Sequence, residues 1–218
     1  MPITRWLQDN RGLLVFLLLL GVFRGAVADW NPIPSGSMHP NLLEGDVVLV
    51  NRLAYDLKLP LTDVSVARMG EPRRGDVVTF NSPKDGTRLI KRVIGLPGDV
   101  VAMEGEVLRI NGAAAHYTPA ETSAALPDGN LQALESLPGH SHAIVLQPRL
   151  PALRDFPPLT VPADSYLVLG DNRDNSADSR YIGFVPRRLL IGRAHHILVS
   201  ADMLGNWAPR FARFGKAL

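Results

Sequence analysis

Eighteen prolines and nineteen glycines punctuate this chain so closely that few long segments of helical period survive between them. Proline fixes φ and removes a backbone donor, and glycine opens conformations that other residues avoid, so both interrupt helices. What remains is a series of short β-branched runs, which predicts a mainly β chain of antiparallel strands joined by turns. Its 218 residues give room for one domain with an insertion and a real core. A net charge of +2 with 20% charged residues excludes a charge-driven nucleic-acid binder. The absence of cysteine excludes disulfides, thiolate metal sites and a thiol nucleophile.

One stretch departs from the β pattern. Gly12 to Phe23 carries no charge, and the small residues Ala26-Val27-Ala28 follow Arg24 before Asp29. As a helix, residues 12–28 would span about 26 Å, slightly less than the roughly 30 Å of a hydrocarbon core. Arg24 lies where its side chain can snorkel to headgroups, and Trp6 and Trp30 bracket the segment as interfacial tryptophans do. Arg5 and Arg11 precede it, so the positive-inside tendency makes residues 1–11 cytoplasmic, 12–28 a transmembrane anchor and 29–218 extracytoplasmic. The lipid bilayer is then a partner, and the location is the cytoplasmic membrane with the domain on its outer face. A cleaved signal peptide ending at Ala28 is the competing reading; Arg24, between the apolar run and the small residues, fits an anchor better.

After the anchor, Pro34-Ser35-Gly36-Ser37-Met38-His39-Pro40 sets two hydroxyls around a glycine between prolines. The expectation is a defined, non-helical loop presenting Ser37, either as a nucleophile or as an ordinary turn residue. Strands are expected at Asp46–Arg52, Val77–Phe80, Thr87–Ile94, Val100–Met103 and Val107–Ile110, with closing runs within Val161–Leu169 and Leu189–Val199. The Lys58–Pro72 segment reads as an irregular connection or a flap. Residues 113–161, rich in Ala, Pro, Gly and Ser, read as a variable insertion or β-subdomain in which only His142–Gln147 has strand character. The tail from Met203, with Trp207, Phe211 and Phe214 among basic residues, reads either as a short helix on a membrane surface or as a frayed end.

A serine needs a base. None of the six histidines stands in a triad-like or metal-ligand spacing, so no metal or cofactor is expected. Only four of the 23 basic residues are lysines, and Lys91 alone is flanked by aliphatics in a strand. Strand period puts Leu89, Lys91 and Val93 on one face, where burial would lower the amine pKa and make it a general base. The same position also suits a solvated lysine on an edge strand.

Four ordered motifs resolve that choice: Ile33 to Pro40 after an apolar segment, Arg74-Gly75-Asp76-Val77-Val78, Lys91 to Asp99, and the polar run Gly170 to Arg180. Together they resemble the bacterial type I signal peptidases. The resemblance implies an antiparallel β-sheet catalytic core with an inserted β-subdomain, and a serine-lysine dyad of Ser37 as nucleophile and Lys91 as base. It also implies that the Ser35 hydroxyl and the Ser37 N–H stabilise the oxyanion and that Ser176 orients the Lys91 amine. Asp178 and Arg180 would form a supporting ion pair, and Asp171 would pair with Arg92. Ile33, Pro34, Met38, Leu42, Leu89 and Ile90 would line shallow pockets for small residues in A-x-A form. The implied partners are signal peptides of exported preproteins and the secretion translocon. His39 and Asn41 depart from the usual family residues, and one apolar segment stands where some relatives have two.

The rivals are a specialised relative that matures conjugation-pilus subunits or a narrow set of secreted proteins, a self-cleaving LexA-like regulator, and a tethered peptide-binding β-domain. The regulator requires a DNA-binding helical domain, in whose place stands the apolar segment.

Overall fold

The structure is a computed structural model that describes residues 3–59, 62, 64–119 and 129–218. Two helices open it, α1 (Ile3–Asp9) and α2 (Arg11–Ala26), and the chain then becomes mainly β. The central sheet has seven strands, all paired antiparallel. In spatial order they are β1 (Ala28–Pro32), β2 (Asp46–Asn51), β16 (Leu190–Ser200), β5 (Val77–Asn81), β6 (Arg88–Gly95), β14 (Ser165–Leu169) and β15 (Val185–Pro186). The expected closing strand is therefore central, with β16 pairing β2 on one side and β5 on the other.

Alternation fixes which side chains build the core. Val77 packs with Ile33, Met38, Leu42, Val48, Val50, Ala194 and Ile197, while its neighbour Val78 packs with Phe80, Val93, Tyr166 and Val168 on the opposite face. Along β6, Val93 joins that second cluster and Ile94 a third, with Val101, Leu108, Val161 and Leu169. A strand covered on both faces is the environment that removes its polar side chains from water, and Lys91 and Arg92 lie in this covered half of β6.

Smaller sheets flank the core. β7 (Val100–Glu104) and β8 (Val107–Ile110) form the expected hairpin through Gly105 and Glu106, both at positive φ as a tight turn of right-handed twist requires. β9 (Ala113–Ala114) extends it, and β13 (Phe156–Thr160) returns to pair with β7. β10 (His116–Pro119), β11 (Leu131–Leu137) and β12 (His140–Leu146) make a three-stranded sheet. The stretch from residue 113 thus holds several strands, not one. Its Ala, Ser and Pro residues give weak strand signals, and cross-strand pairing supplies what propensity does not. Residues 120–128 of it lie outside the described residues. In the segment expected to be an irregular connection or a flap, β3 (Asp56–Lys58) and β4 (Ser65–Arg68) form a ribbon; residues 60, 61 and 63 lie outside the described residues.

Three further expectations need correction. The helix expected over residues 12–28 ends at Ala26, because Ala28 already pairs with Asn51 and draws the chain into β1. Its 16 residues span about 24 Å, and no helix among the described residues is long and apolar enough to cross a membrane. The serine loop is not free of helix, since Gly36–Met38 form one 3₁₀ turn. The C-terminal tail neither frays nor forms a surface α-helix. Hydrogen bonds from Ile197 to Lys216 and from Leu218 to His195 tie it to β16, and Arg213 binds the buried Asp46 carboxylate.

Candidate active site

The serine loop is held from below by its own apolar residues. Ile33 exchanges backbone hydrogen bonds with Asp46 and Gly45, and Met38 is fully buried, with its carbonyl accepting from the Leu42 N–H. Between these anchors the 3₁₀ turn lifts Ser37 toward solvent. Gly36 is dictated by crowding, since a Cβ there would stand 2.8 Å from Glu44 Oε1 and 3.1 Å from the His39 ring. His39 and Glu44 are themselves in contact at 2.6 Å beneath the turn. From across the chain, Asn172 fastens the turn twice: its Nδ2 donates to the Gly36 carbonyl at 3.0 Å and its backbone N–H to the Ser37 carbonyl at 3.1 Å.

Lys91 arrives from β6, in register with Val78 of β5. Its Nζ donates to Ser37 Oγ at 2.7 Å and to the Ile90 carbonyl at 2.8 Å, and the residue is 2% exposed. It is therefore not a solvated edge lysine. Burial disfavours the ammonium and lowers its pKa to about 8, against the opposing pull of the Asp178 and Asp171 carboxylates. An amine so placed is partly neutral near physiological pH and within proton-transfer reach of a hydroxyl.

The run from Gly170 to Arg180 wraps behind the lysine. Asp178 and Arg180 form a bidentate pair at 2.8 Å with both side chains buried, and Asp178 also accepts from the Gly170 N–H and caps α3 (Ser179–Ile182). Arg92, pointing away from Lys91, grips Asp171 through Nε at 2.8 Å and Nη2 at 2.7 Å. Asn41 Nδ2 donates to Asp171 Oδ2 at 2.7 Å, tying the residue after the serine loop into the same network. Arg173 binds Glu135 of β11, so the small sheet is anchored to the loop through a buried pair. That arginine offsets the penalty of burying Glu135 and leaves its carboxyl below the usual range. Ser176 departs from expectation: among the described residues its buried hydroxyl has no hydrogen-bond partner, and the Lys91 amine contacts Ser37 and the Ile90 carbonyl.

A serine in hydrogen-bond contact with a buried lysine, both inside a second layer of paired charges, coincides with a family match. The family model described as signal peptidase, peptidase S26, matches residues 4–199. The chain belongs to the signal peptidase S26 family. Signal peptidase I from Pseudomonas aeruginosa is 37% identical over 91% of this chain and 75% of its own length, and that from Pseudomonas fluorescens is 38% identical with the same coverage. A probable signal peptidase I-2 from Synechocystis is 34% identical over 88% of this chain and 73% of its own.

In this signal peptidase family member a cleft of about 520 Å³ opens in front of Ser37 and Lys91. Ser35, Gly36, Ser37, Leu89, Lys91 and Ser176 line it, so that of the expected substrate-pocket residues Leu89 stands in its wall. Ser35 is exposed in extended backbone just before the turn. The remaining substrate-pocket expectations are corrected. Ile33, Met38 and Leu42 lie in the core beneath the loop, Ile90 packs against the same core, and Pro34 is exposed outside the cleft lining. Pro151, Asp174, Asn175, Ala177 and Tyr181 supply the rest of the wall. The sequence signal for Asn175 and Ala177 lay in the polar run itself. Pro151 carried none, because the fold brings it to the serine from more than a hundred residues away.

Proposed function

We propose that this protein is a serine endopeptidase that removes N-terminal signal peptides from exported preproteins, cutting after small residues in A-x-A form. The 2.7 Å contact between Ser37 Oγ and the amine of a lysine withdrawn from water carries the proposal. When Lys91 is neutral the contact reverses, and the Ser37 hydroxyl donates to the nitrogen lone pair. As Oγ attacks the scissile carbonyl carbon, its proton passes to Lys91. The carbonyl π electrons become the oxyanion, which the Ser35 hydroxyl and the Ser37 N–H stabilise. Collapse of this intermediate breaks the C–N bond, and Lys91 returns its proton to the leaving amine. An ester to Ser37 remains. Lys91 then takes a proton from water as the water oxygen attacks the ester; collapse breaks the C–Oγ bond, Lys91 returns that proton to Ser37 Oγ, and the signal peptide leaves as a new carboxylic acid that ionises to solvent.

The substrate binds as an extended strand. β6 is paired with β5 from Arg88 onward, but its partner β14 begins only opposite Arg92, since the chain leaves β14 at Leu169 for the polar run. One edge of β6 beside Leu89 and Ile90 is therefore open next to the cleft, where a peptide can add main-chain hydrogen bonds. Leu89 and Ala177 line this space and suit small apolar side chains.

The anchor is the apolar N-terminal helix, and the catalytic domain lies on the outer face of the membrane. Leu13, Phe16, Leu17, Leu18, Leu19 and Phe23 of α2 are exposed around its whole circumference, a distribution suited to lipid. Hydrogen bonds from Asn10 to Trp6 and from Leu14 to Asn10 link α1 to α2 across the turn at Asn10. The test is incubation with a panel of preproteins, with the cut site read by mass spectrometry. Wild type is expected to cut after A-x-A and the Ser37→Ala variant to leave the preproteins intact. Cleavage of pilus subunits alone would make it the specialised relative, and cleavage by Ser37→Ala would overturn the serine mechanism.

A further inference from the structure

The far wall of the serine cleft has no part in the proposed chemistry. Pro151 and Tyr181 build it, with Ala177 beside them. Pro151 belongs to residues 147–154, between β12 and β13, and that segment is strapped to the polar run behind Lys91. Asp174 Oδ2 accepts from the Gln147 N–H at 2.7 Å, and Asp174 Oδ1 accepts from Arg154 Nε at 3.1 Å. Arg154 Nη2 also closes the segment on itself, donating to the Leu150 carbonyl at 2.9 Å. Further along, the Leu153 N–H donates to the Tyr181 hydroxyl at 2.8 Å, and Arg180 Nη1 donates to the Leu153 carbonyl at 2.9 Å. Arg180, which pairs with Asp178 behind Lys91, therefore holds this wall as well.

The wall is rigid and offers apolar surface. The Asp174 carboxylate is taken up by the strap, with its side chain 1% exposed, whereas Tyr181 is 46% exposed. What meets the cleft from this side is the Pro151 ring, the Ala177 methyl and the Tyr181 ring. The course of the sheet decides which half of a substrate arrives there. A peptide lying along the open edge of β6 beside Leu89 and Ile90 cannot continue past Arg92, where Leu169 of β14 takes that edge. Beyond Ser37 it has to leave β6 and cross the polar run toward Pro151 and Tyr181. The small residues before the cut occupy the β6 edge, so the half that crosses is the one released. We infer that Pro151 and Tyr181 are specificity-determining residues for the first two residues after the cut, and that they favour an apolar side chain there. Rings fixed from behind gain contact with an apolar group at little entropic cost, while a charged side chain would shed water against them without a partner. This inference rests on the reading of the cleft as a signal-peptide-removing site.

The test uses the full chain in a neutral detergent and peptides that share one sequence through the A-x-A site. After the cut they carry Gly-Gly, Leu-Gly, Gly-Leu, Gly-Asp or Gly-Lys. Wild type should cut one of the two leucine peptides with kcat/KM about tenfold above the Gly-Gly, Gly-Asp and Gly-Lys peptides. In Tyr181→Ala that leucine preference should fall to within about twofold. Tyr181→Phe keeps the ring, with Arg180 still holding Leu153, and should retain the preference. Pro151→Gly, at an exposed position, should reduce it about threefold and gives the answer where Tyr181→Ala does not fold. Equal wild-type rates on all the peptides would overturn the inference, as would a leucine preference left intact in both Tyr181→Ala and Pro151→Gly. A change in these variants confined to the choice of residues before the cut would overturn it too. Failure of wild type to cut any of the peptides would instead count against the peptidase reading.

Discussion

At the residue scale, Lys91 governs both chemistry and stability. Its folded pKa, about 8, lies below the ordinary 10.5, so the unfolded chain binds more protons than the folded one between those values. Stability contributed by this residue therefore rises with pH across that window, and below it the buried ammonium costs on the order of 3 kcal/mol. Lys91→Met fills similar space without charge; thermal melting at pH 7 should show it more stable than wild type, with preprotein cleavage abolished. A lower melting temperature would mean that the ammonium is stabilised where it lies. Asp178 behaves oppositely. It is buried, receives both prongs of Arg180 and caps α3, so Asp178→Ala should lose about 3–5 kcal/mol in denaturant titration. A loss below 1 kcal/mol would contradict that role. Ser37 and Lys91 stood out locally, in a Ser-Gly-Ser loop and at strand period, but each also suited a turn residue or an edge lysine, and only the four ordered motifs taken together told them apart. Ile33, Met38 and Leu42 were misread as cleft walls because apolar residues beside a nucleophile can either touch substrate or hold the loop, and only packing tells which.

At the element scale, the serine turn, β6 and the polar run have to meet within a few tenths of an ångström. Gly170 marks the crossing: a Cβ there would lie 2.2 Å from Ser176 Oγ and 2.6 Å from the Ser37 carbonyl oxygen. Gly170→Ala should push the serine turn off the lysine and lower kcat on the order of 100-fold, with far-UV circular dichroism unchanged. Wild-type kcat in that variant would show that the crossing has slack. Asn172→Ala removes the side-chain bond to the Gly36 carbonyl and leaves the backbone bond to Ser37; about 1 kcal/mol of stability should be lost, measured by denaturation, with kcat falling and KM little changed. Neither residue was singled out from the sequence. Their roles depend on a loop returning across more than 130 residues, which no local period encodes. The strands of residues 113–161 were hidden for a related reason, since pairing partners rather than β-branched side chains hold them extended.

At the scale of the whole molecule, an apolar helix and a β-domain are joined without a linker, Ala28 opening β1 two residues after α2 ends. Helix length was misjudged from the sequence because hydropathy extends to Ala28, whereas pairing with Asn51 ends the helix earlier. With α2 as the proposed anchor, this tight junction would hold the β-domain close to the membrane face. A charge at mid-helix should weaken membrane association. Leu17→Arg would place an arginine among exposed apolar residues at a penalty of about 3 kcal/mol in hydrocarbon, and flotation with phospholipid vesicles should shift the full chain from bound toward free. Unchanged flotation would show that some other surface holds the protein to lipid.

The central claim is that Lys91 is the base for Ser37, and acylation of Ser37 by a peptide-mimicking inhibitor, followed by mass spectrometry as a function of pH, tests it most directly. The rate should rise with pH to a half-maximum near 8, the value set by burial of the Lys91 amine, and acylation should vanish in Lys91→Ala. A rate that is flat from pH 6 to 10, or a Lys91→Ala variant acylated as fast as wild type, would contradict the account.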